Sequence, residues 1–365
     1  MRRLAVFFLL IACSASGQPA ITGVSGSVAD GESFVVSGTG FGAAPNVIKW
    51  DNFESGTLLE NISAPIIGTN WTFFKLAAGD VPLTHYSDQQ AHSGDKSAKV
   101  TWTEPGYTSS TVNSFGFGGL ALPSVYMSYW RYHDPSNTNI AGYNHKQVYY
   151  YGAANNLNQF IPYMVPAGNT YWASYLQNDP SGRWNYAGLT YASTCYNWGR
   201  WESWVDYNDV PGEATGEFDV WYNGELYGSY SGLNLANPAN GNNANDIRIG
   251  HMFQYQTDPT PLDYCRSYFD DVYIATTRTR VEIGNAPIFD NCTVREIQVA
   301  GAWSATSATV DGHVSASFSA GSSAYVFVVD ANGVSSAGYP VTIGGTSGAP
   351  SAPGRPQNVT ATEID

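Results

Sequence analysis

Apolar and polar residues alternate along most of the chain, and short clusters rich in glycine, asparagine and aspartate separate the alternating segments. Alternation with a period of two is typical of β-strands that are buried on one side. No segment has a helical period with capping residues for more than about two turns. The pattern predicts strands at 125–133, 145–151, 170–177, 200–207, 217–222, 246–256 and 268–275. Many regularly spaced strands predict an all-β fold, either a sandwich or a barrel.

Composition agrees with this prediction. The 365 residues include 38 glycines, 25 tyrosines and 11 tryptophans, whereas charged residues make up 13%. Aromatic residues suit pleated surfaces, and glycine suits turns. The formal net charge of −14 argues against nucleic acid and anionic membranes as partners. The same charge disfavours a strongly anionic glycan unless a local basic patch offsets it.

The first residues predict export. Two arginines precede an apolar run at 4–12, and small residues follow up to Gly17. That order is typical of a secretory signal peptide over 1–17, and no later segment is long and apolar enough to span a membrane. The residues ending at Cys13 also resemble a bacterial lipobox, in which the cysteine is lipidated. We therefore expect a secreted or cell-surface protein, with a lipid anchor on Cys13 in the second interpretation.

The two ends of the chain carry halves of one pattern. Residues 20–42 form a strand, a turn and a strand that ends in Gly-x-Gly-Phe-Gly, and they resemble the opening of an IPT/TIG immunoglobulin-like domain. Strands at 303–310 and 324–329, the second running into an Asn-Gly turn, resemble the ending of that domain. We predict one interrupted sandwich, because each half alone would leave unpaired strand edges. Two independent immunoglobulin-like fragments are the alternative.

The segment between these halves resembles a second fold. Residues 201–205 followed by 216–226, with an Asn-Gly turn, resemble the hairpin of concanavalin A-like (laminin G-like) jelly rolls, and 269–274 resemble the final strand. Lectins, glucanases and polysaccharide lyases share this fold, so the resemblance implies an architecture and not an activity. The predicted organisation is a signal peptide at 1–17, an IPT/TIG-like sandwich at 19–48 plus 290–345, a jelly roll at 50–288 and a flexible tail at 346–365.

One predicted strand of the jelly roll carries an unusual set of polar groups. Because side chains alternate, His145, Gln147, Tyr149 and Tyr151 are expected on one face. Imidazole, amide and phenol groups are costly to bury without partners, so we expect this face on a concave, water-filled surface. Concanavalin A-like lyases carry a Gln/His pair two residues apart on such a strand, and the resemblance implies a polysaccharide ligand.

The same surface suits β-elimination from a uronic-acid polymer. That reaction needs a group to neutralise the carboxylate, a base for the C5 proton and an acid for the leaving oxygen. The candidates are Arg131 or Gln147 as the neutralising group, His145 as the base, and Tyr149 or Tyr255 as the acid. The alternative is that these are polar sheet residues with a binding role or none. The candidate substrate-binding residues are Lys146, His133, Trp184, Tyr186, His251 and Tyr255.

Glycoside hydrolysis is disfavoured, because it needs two carboxyl groups across the scissile bond. Glu217 and Asp219 resemble the Glu-x-Asp of jelly-roll glucanases, but Trp221 and Tyr222 stand where the second glutamate is needed.

A structural calcium ion is predicted by resemblance. Glu54, a Ser-Gly loop at 92–97 and Asp271 resemble the calcium-binding corner of jelly-roll carbohydrate-binding modules. The resemblance implies Glu54 and Asp271 as ligands, and ordinary turn chemistry is the alternative. No other cofactor is expected.

Export permits disulfide bonds. Cys195 and Cys265 are the predicted pair, which leaves Cys292 over. No CxxC or Cys/His spacing suggests zinc.

These observations predict a protein that binds a polysaccharide on the concave face of the jelly roll. A polysaccharide lyase that uses the same face is the second interpretation. A structural protein of cell-surface or adhesion assemblies is the third.

Overall fold

The computed structural model describes most of the chain between residues 17 and 347. The described residues are 17–75, 84–103, 111–138, 143–151, 160–164, 171–176, 183–207, 213–233, 235, 244–255 and 264–347. The predicted signal peptide up to residue 16, with Cys13, and the predicted tail beyond 347 lie outside them.

The described residues form strands and no α-helix, which confirms the all-β prediction. The strands are β1 (Ala20–Ser27), β2 (Ser33–Thr39), β3 (Val47–Asp51), β4 (Thr72–Lys75), β5 (His85–Ser87), β6 (Ser97–Thr103), β7 (Thr111–Leu122), β8 (Ser124–Pro135), β9 (Tyr143–Tyr151), β10 (Phe160–Met164), β11 (Tyr171–Leu176), β12 (Arg183–Thr190), β13 (Trp198–Asp206), β14 (Gly216–Tyr222), β15 (Glu225–Leu233), β16 (Ala244–Tyr255), β17 (Tyr264–Ala275), β18 (Arg280–Gly284), β19 (Arg295–Ser304), β20 (Ser307–Asp311), β21 (Ser323–Val329), β22 (Tyr339–Thr342) and β23 (Thr346–Ser347). Short 3-10 turns lie at Ala192–Thr194 and Phe289–Asn291. None of the described helices has the length and apolar character needed to cross a membrane.

Strands from both ends of the described chain share one sheet, which we call the terminal sheet. Its order is β22-β21-β18-β19-β20-β2-β1-β23. The sheet encloses a core of its own, in which Val36 of β2, Val281 of β18 and Val326 of β21 are fully buried. Antiparallel pairing of β2 with β20 joins segments that lie far apart in the sequence. The assignment of this sheet to an IPT/TIG-like domain stays a prediction.

Two predicted boundaries are wrong. β18 lies in the range assigned to the jelly roll, but it pairs with β19 and β21 in the terminal sheet. β23 lies in the range assigned to the tail, but it pairs with β1. The apolar residues Val281 and Ile283 of β18 alternate as they would in a strand of either sheet, so the pattern alone does not assign the strand.

The remaining strands form a β-sandwich of two sheets. The front sheet has the order β12-β11-β10-β9-β16-β7-β4, and the back sheet has the order β15-β14-β13-β8-β17-β6-β5, with β3 beside β17. Phe115 and Trp172 of the front sheet and Tyr129, Trp201 and Phe269 of the back sheet belong to one buried cluster. Face-to-face packing of alternating apolar residues is the arrangement expected for a sandwich.

The outer face of the back sheet packs against the terminal sheet. Trp50, Tyr126 and Tyr273 form an apolar cluster with Ile297 and Val299 of β19.

A buried ion network also joins the back sheet to the terminal sheet. The Arg200 guanidinium is 2.7 Å from a carboxylate oxygen of Glu282, and that of Arg295 is 3.0 Å from Glu202. Burial alone would raise the pKa of Glu282, but Arg200, Arg280 and Arg295 outweigh burial and hold the pKa well below its usual range.

Candidate functional site

A β-bulge in β9 changes which side chains face outward. Tyr150 pairs with Phe160 of β10 and Lys146 pairs with Tyr163, so four residue steps along β9 lie opposite three residue steps along β10. An extra residue in one strand breaks the alternation of side chains. As a result the adjacent residues Gln147 and Val148 are both fully buried.

His145 and Gln147 therefore face the interior of the sandwich. The side-chain oxygen of Gln147 accepts a hydrogen bond of 2.7 Å from Arg131, and the His145 ring stacks on His133 with centroids 5.2 Å apart. All four side chains are at most 1% exposed. The prediction that Arg131, His133, His145 and Gln147 line a water-facing surface is wrong, because β8 and β9 direct them between the sheets. A polysaccharide chain does not reach catalytic groups in this position.

The polar groups of this interior cluster bind one another. Arg131 donates from Nε to the hydroxyl of Ser267 at 3.0 Å, and one of its Nη atoms lies 2.8 Å from Nδ1 of His133. The hydroxyl of Tyr191 contacts Nε2 of His133. Burial lowers the pKa of the Arg131 guanidinium and raises the pKa of the Tyr191 phenol. The hydrogen bond from Arg131 to Gln147 links β8 of the back sheet to β9 of the front sheet inside the sandwich.

The predicted disulfide is also wrong, because Cys195 and Cys265 are free and buried. Both contact Tyr191. The Cys195 thiol is 3.2 Å from the carbonyl oxygen of Tyr191, and the Cys265 sulfur is 3.9 Å from its hydroxyl. Burial raises the pKa of Cys195 to about 12. Cys292 is free as well and donates to the carbonyl oxygen of Ala286.

The outer side of the front sheet carries a different set of polar residues. Ile247 and Ile249 of β16 lie in the sandwich core, so Asp246 and Arg248 point away from it. Arg248 pairs across the strands with Tyr149, and Asp246 pairs with Tyr151. Cross-strand partners share one face of a sheet.

We call this set the tyrosine face, and it consists of Lys146, Tyr149, Tyr151, Asp246 and Arg248. The two phenol rings are stacked, with centroids 4.9 Å apart and planes inclined by 14°. The guanidinium of Arg248 is 4.4 Å from the centroid of the Tyr151 ring, and the ammonium of Lys146 is 5.6 Å from that of Tyr149. Asp246 accepts a hydrogen bond of 2.7 Å from Arg248. The face is therefore a row of two rings with a cation at each end.

Burial shifts the acid–base behaviour of this row. It lowers the pKa of Lys146 to about 8. It raises the pKa of Tyr149, and the neighbouring Tyr151 raises it further, so Tyr149 keeps its proton at neutral pH. On β7, the residues that pair with Arg248 and Asp246 are Gly116 and Gly118. Because glycine has no side chain, β7 leaves the row uncovered at these two positions.

The other predicted binding residues are placed only in part. Trp184 and Tyr186 belong to β12, and His251 and Tyr255 belong to β16, so all four lie in the front sheet. Their side chains are outside the described part of the chain. Their role in binding stays a prediction.

Glu54 and Asp271 have separate partners. A carboxylate oxygen of Glu54 accepts hydrogen bonds from the backbone N–H groups of Asp95, at 3.0 Å, and Lys96, at 2.7 Å. The ammonium of Lys96 donates to the carbonyl oxygens of Glu54 and Gly56. Calcium stays a prediction, and an ion at this corner has to compete with the Lys96 ammonium for those oxygens.

A cavity of about 300 Å³ lies between the back and terminal sheets, lined in part by Trp221, Arg278 and Phe289. Its cations are already paired: Arg278 with Asp219, and Arg295 with Glu202. The volume is at the lower end for ligand pockets. The tyrosine face lies on the outer side of the front sheet and carries two cations beside two stacked rings, so it is the stronger candidate.

Sequence reasoning missed Asp246 and Arg248. A signal was present, because the two residues are two apart on a predicted strand and alternate with Ile247 and Ile249. That pattern places an ion pair on the face opposite the core.

No protein-family model and no curated protein matches the chain. Among solved structures, the chain is similar to an endo-β-1,4-glucuronan lyase from the fungus Trichoderma reesei, with a TM-score of 0.41, 12% identity and coverage of 62% of this chain and 94% of that chain. It is similar to an alginate lyase, with a TM-score of 0.39, 12% identity and coverage of 64% and 97%. It is also similar to a β-glucanase catalytic domain from Podospora anserina, with a TM-score of 0.42, 12% identity and coverage of 62% and 95%. At these TM-scores and identities, the similarities assign no role to any residue of this chain.

Proposed function

We propose that the protein binds an acidic polysaccharide on the tyrosine face. The observation that carries the proposal is the row in which Tyr149 and Tyr151 stack on each other between the cations of Lys146 and Arg248. In this acidic chain, the row is a local basic patch: it holds two cations and one carboxylate, that of Asp246.

The geometry of the row indicates how a sugar is recognised. The ring faces of Tyr149 and Tyr151 are covered by each other and by the two cations. The groups left to contact a sugar are therefore the phenol hydroxyls, the ammonium and the guanidinium. Guanidinium groups bind carboxylates through charge-assisted hydrogen bonds. A chain of uronic acids carries a carboxylate on every residue, whereas a neutral glucan carries none. Acidic glycans are therefore the favoured ligands.

β-Elimination on the same face is the second candidate function, and the lowered pKa of Lys146 favours it. An amine with a pKa of about 8 is partly neutral near neutral pH and can accept the C5 proton. In this second proposal Tyr149, which keeps its proton, protonates the leaving oxygen, and Arg248 neutralises the uronate carboxylate.

A panel of polysaccharides tests both functions. The protein is run in native gels that contain a polyuronate or a neutral glucan, and is incubated with the polyuronates in solution. Retardation by polyuronates alone supports binding, and new ultraviolet absorbance from an unsaturated product supports the lyase. Absence of both results contradicts both functions and leaves the structural role.

A further inference from the structure

Three ligating side chains meet where the sandwich contacts the terminal sheet. His92 lies in the loop before β6, Asp271 lies in β17, and Glu296 lies in β19. All three are buried, and each offers one ligating atom within 4.8 Å of the others. Within the described part of the chain, these are the histidine and carboxylate side chains that are close enough together to bind one metal ion. We call it the inter-sheet cluster.

One nitrogen of the His92 ring is held and the other is directed at Glu296. Nδ1 lies 2.8 Å from a carboxylate oxygen of Asp271, and the ring stacks on Trp130 with centroids 3.7 Å apart. Nε2 lies 3.7 Å from Glu296 Oε1 and has no hydrogen-bond partner within the described structure. A buried, oriented nitrogen without a partner is costly, because nothing replaces the water it has lost.

The separation of 3.7 Å between His92 Nε2 and Glu296 Oε1 distinguishes a hydrogen bond from a pair of ligands to one metal ion. It is too long for a hydrogen bond, which needs a nitrogen–oxygen distance of about 2.7–3.2 Å. Two ligands bound at about 2.1 Å to a tetrahedral ion lie about 3.4 Å apart. His92 and Glu296 therefore stand at nearly the separation of two ligands of one metal ion.

The contact of Asp271 with Nδ1 fits the same explanation. Histidine ligands donate their second ring N–H to a carboxylate, and this fixes the tautomer and the orientation of the ring. The other carboxylate oxygen of Asp271 accepts a hydrogen bond of 2.7 Å from the hydroxyl of Ser93 and lies 2.8 Å from Nε2 of His313.

The composition of the cluster also suits a divalent ion. Three buried carboxyl groups, of Asp270, Asp271 and Glu296, lie beside two imidazoles, of His92 and His313. Imidazole nitrogen and carboxylate oxygen are among the ligand atoms that Zn²⁺ takes in proteins.

We propose that the inter-sheet cluster binds one divalent transition-metal ion of the Zn²⁺ class, with His92 and Glu296 as ligands and Asp271 as the carboxylate that orients His92. An imidazole nitrogen favours Zn²⁺ over Ca²⁺, which prefers oxygen ligands. The ion joins the loop before β6 to β19, and it therefore fastens the sandwich to the terminal sheet. The site differs from the predicted calcium corner in its residues and in its metal.

Equilibrium dialysis of the chelator-treated full chain against Zn²⁺ alone tests the proposal, with Ca²⁺ in a parallel arm. We expect one Zn²⁺ per chain and a higher melting temperature in Zn²⁺ but not in Ca²⁺, because a ligand that binds only the folded state stabilises it. H92A and E296Q should each lower the affinity for Zn²⁺ by at least about tenfold. The matched control is H85A, which removes another buried imidazole outside the cluster.

Four results overturn the proposal: no Zn²⁺ bound by the folded wild-type chain, equal Zn²⁺ affinity in wild type, H92A and E296Q, equal stabilisation by Ca²⁺, or an equal loss in H85A. If H92A does not fold, Co²⁺ bound to the wild-type chain decides. A visible ligand-field spectrum that Zn²⁺ abolishes supports the site, and a spectrum unchanged from Co²⁺ in buffer contradicts it.

Discussion

The phenol rings of Tyr149 and Tyr151 lie parallel on the outer side of the front sheet, with centroids 4.9 Å apart. Residues two apart on a strand share a face, so their stacking follows from their position in β9. Lys146 and Arg248 extend the stack at its two ends. Because each side chain packs against the next, the row holds its hydrogen-bond donors in fixed positions. Substitutions of Lys146 and of Arg248 therefore test the two ends of the row separately.

Removal of the cation at one end should weaken the binding of acidic glycans. R248Q should lower the affinity for a polyuronate by about tenfold, because a charge-assisted hydrogen bond contributes about 1.5–3 kcal/mol. The affinity is measured by retardation in native gels at two salt concentrations, since exposed charge interactions weaken with salt. The control is R266Q, which removes a partly exposed arginine of the back sheet. Equal losses in R248Q and R266Q contradict a specific role for the tyrosine face.

If the protein cleaves polyuronates, the rate should follow the protonation state of Lys146. A base acts only when it is neutral, so kcat/KM should rise with pH up to about 8 and then level off. K146R should abolish product formation but retain binding, because arginine keeps the positive charge and does not act as a base at this pH. An active K146R, or a rate that does not depend on pH between 6 and 9 (roughly two units around the pKa), excludes Lys146 as the base.

The ion network between the back and terminal sheets should make stability sensitive to single substitutions. E282Q removes a fully buried carboxylate from Arg200 and Arg280 and leaves their charges poorly compensated. We expect a loss of about 3–5 kcal/mol in the free energy of unfolding, measured by urea denaturation. The control is E225Q, which removes an exposed carboxylate and should change the free energy by less than about 0.5 kcal/mol. An E282Q chain as stable as E225Q contradicts the assigned role.

The same network sets the response to acid. The pKa of Glu282 is depressed in the folded state, whereas the pKa of an unfolded glutamate is about 4.3. The stabilisation is therefore fully present above that pH and is lost as the pH falls below it. Urea midpoints between about pH 3 and 6 should decline steeply with acid in the wild type and less steeply in E282Q. Parallel declines in the two proteins contradict the contribution of Glu282.

Cys195 and Cys265 should behave as inaccessible thiols. Burial raises the pKa of both groups, and thiolate is the reactive form. We expect no reaction with a thiol reagent in the native protein and full reaction after denaturation without reductant. Mass spectrometry of the labelled chain counts the thiols, and two missing labels on these cysteines would show the disulfide bond.

The alternation of residues was sufficient to predict the fold class but not the orientation of β9. A bulge is an extra residue in one strand relative to its partner, so it cannot be recognised in the sequence 145–151 alone. β10 supplies that partner and turns Gln147 inward. For the same reason, the sequence placed the phenol groups correctly together and the imidazole of His145 wrongly with them.

Long-range contacts account for what else the sequence missed. His92, Asp271 and Glu296 are separated by long stretches of chain and belong to no shared motif, so only the packing of β19 on the back sheet brings them together. Arg280–Gly284 has the alternation of a strand in either sheet, and its pairing with β19 and β21 decides its place.

The arrangement of the terminal sheet has a mechanical consequence. β1 and β2 lie beside strands β18 to β23 in that sheet, and the chain from β3 to β17 leaves it and returns to it. Tension applied to the chain on both sides of the terminal sheet is first resisted by the hydrogen bonds of that sheet. Load reaches the front and back sheets only after the terminal sheet has opened, so a saccharide bound on the tyrosine face, as proposed above, would stay bound until then.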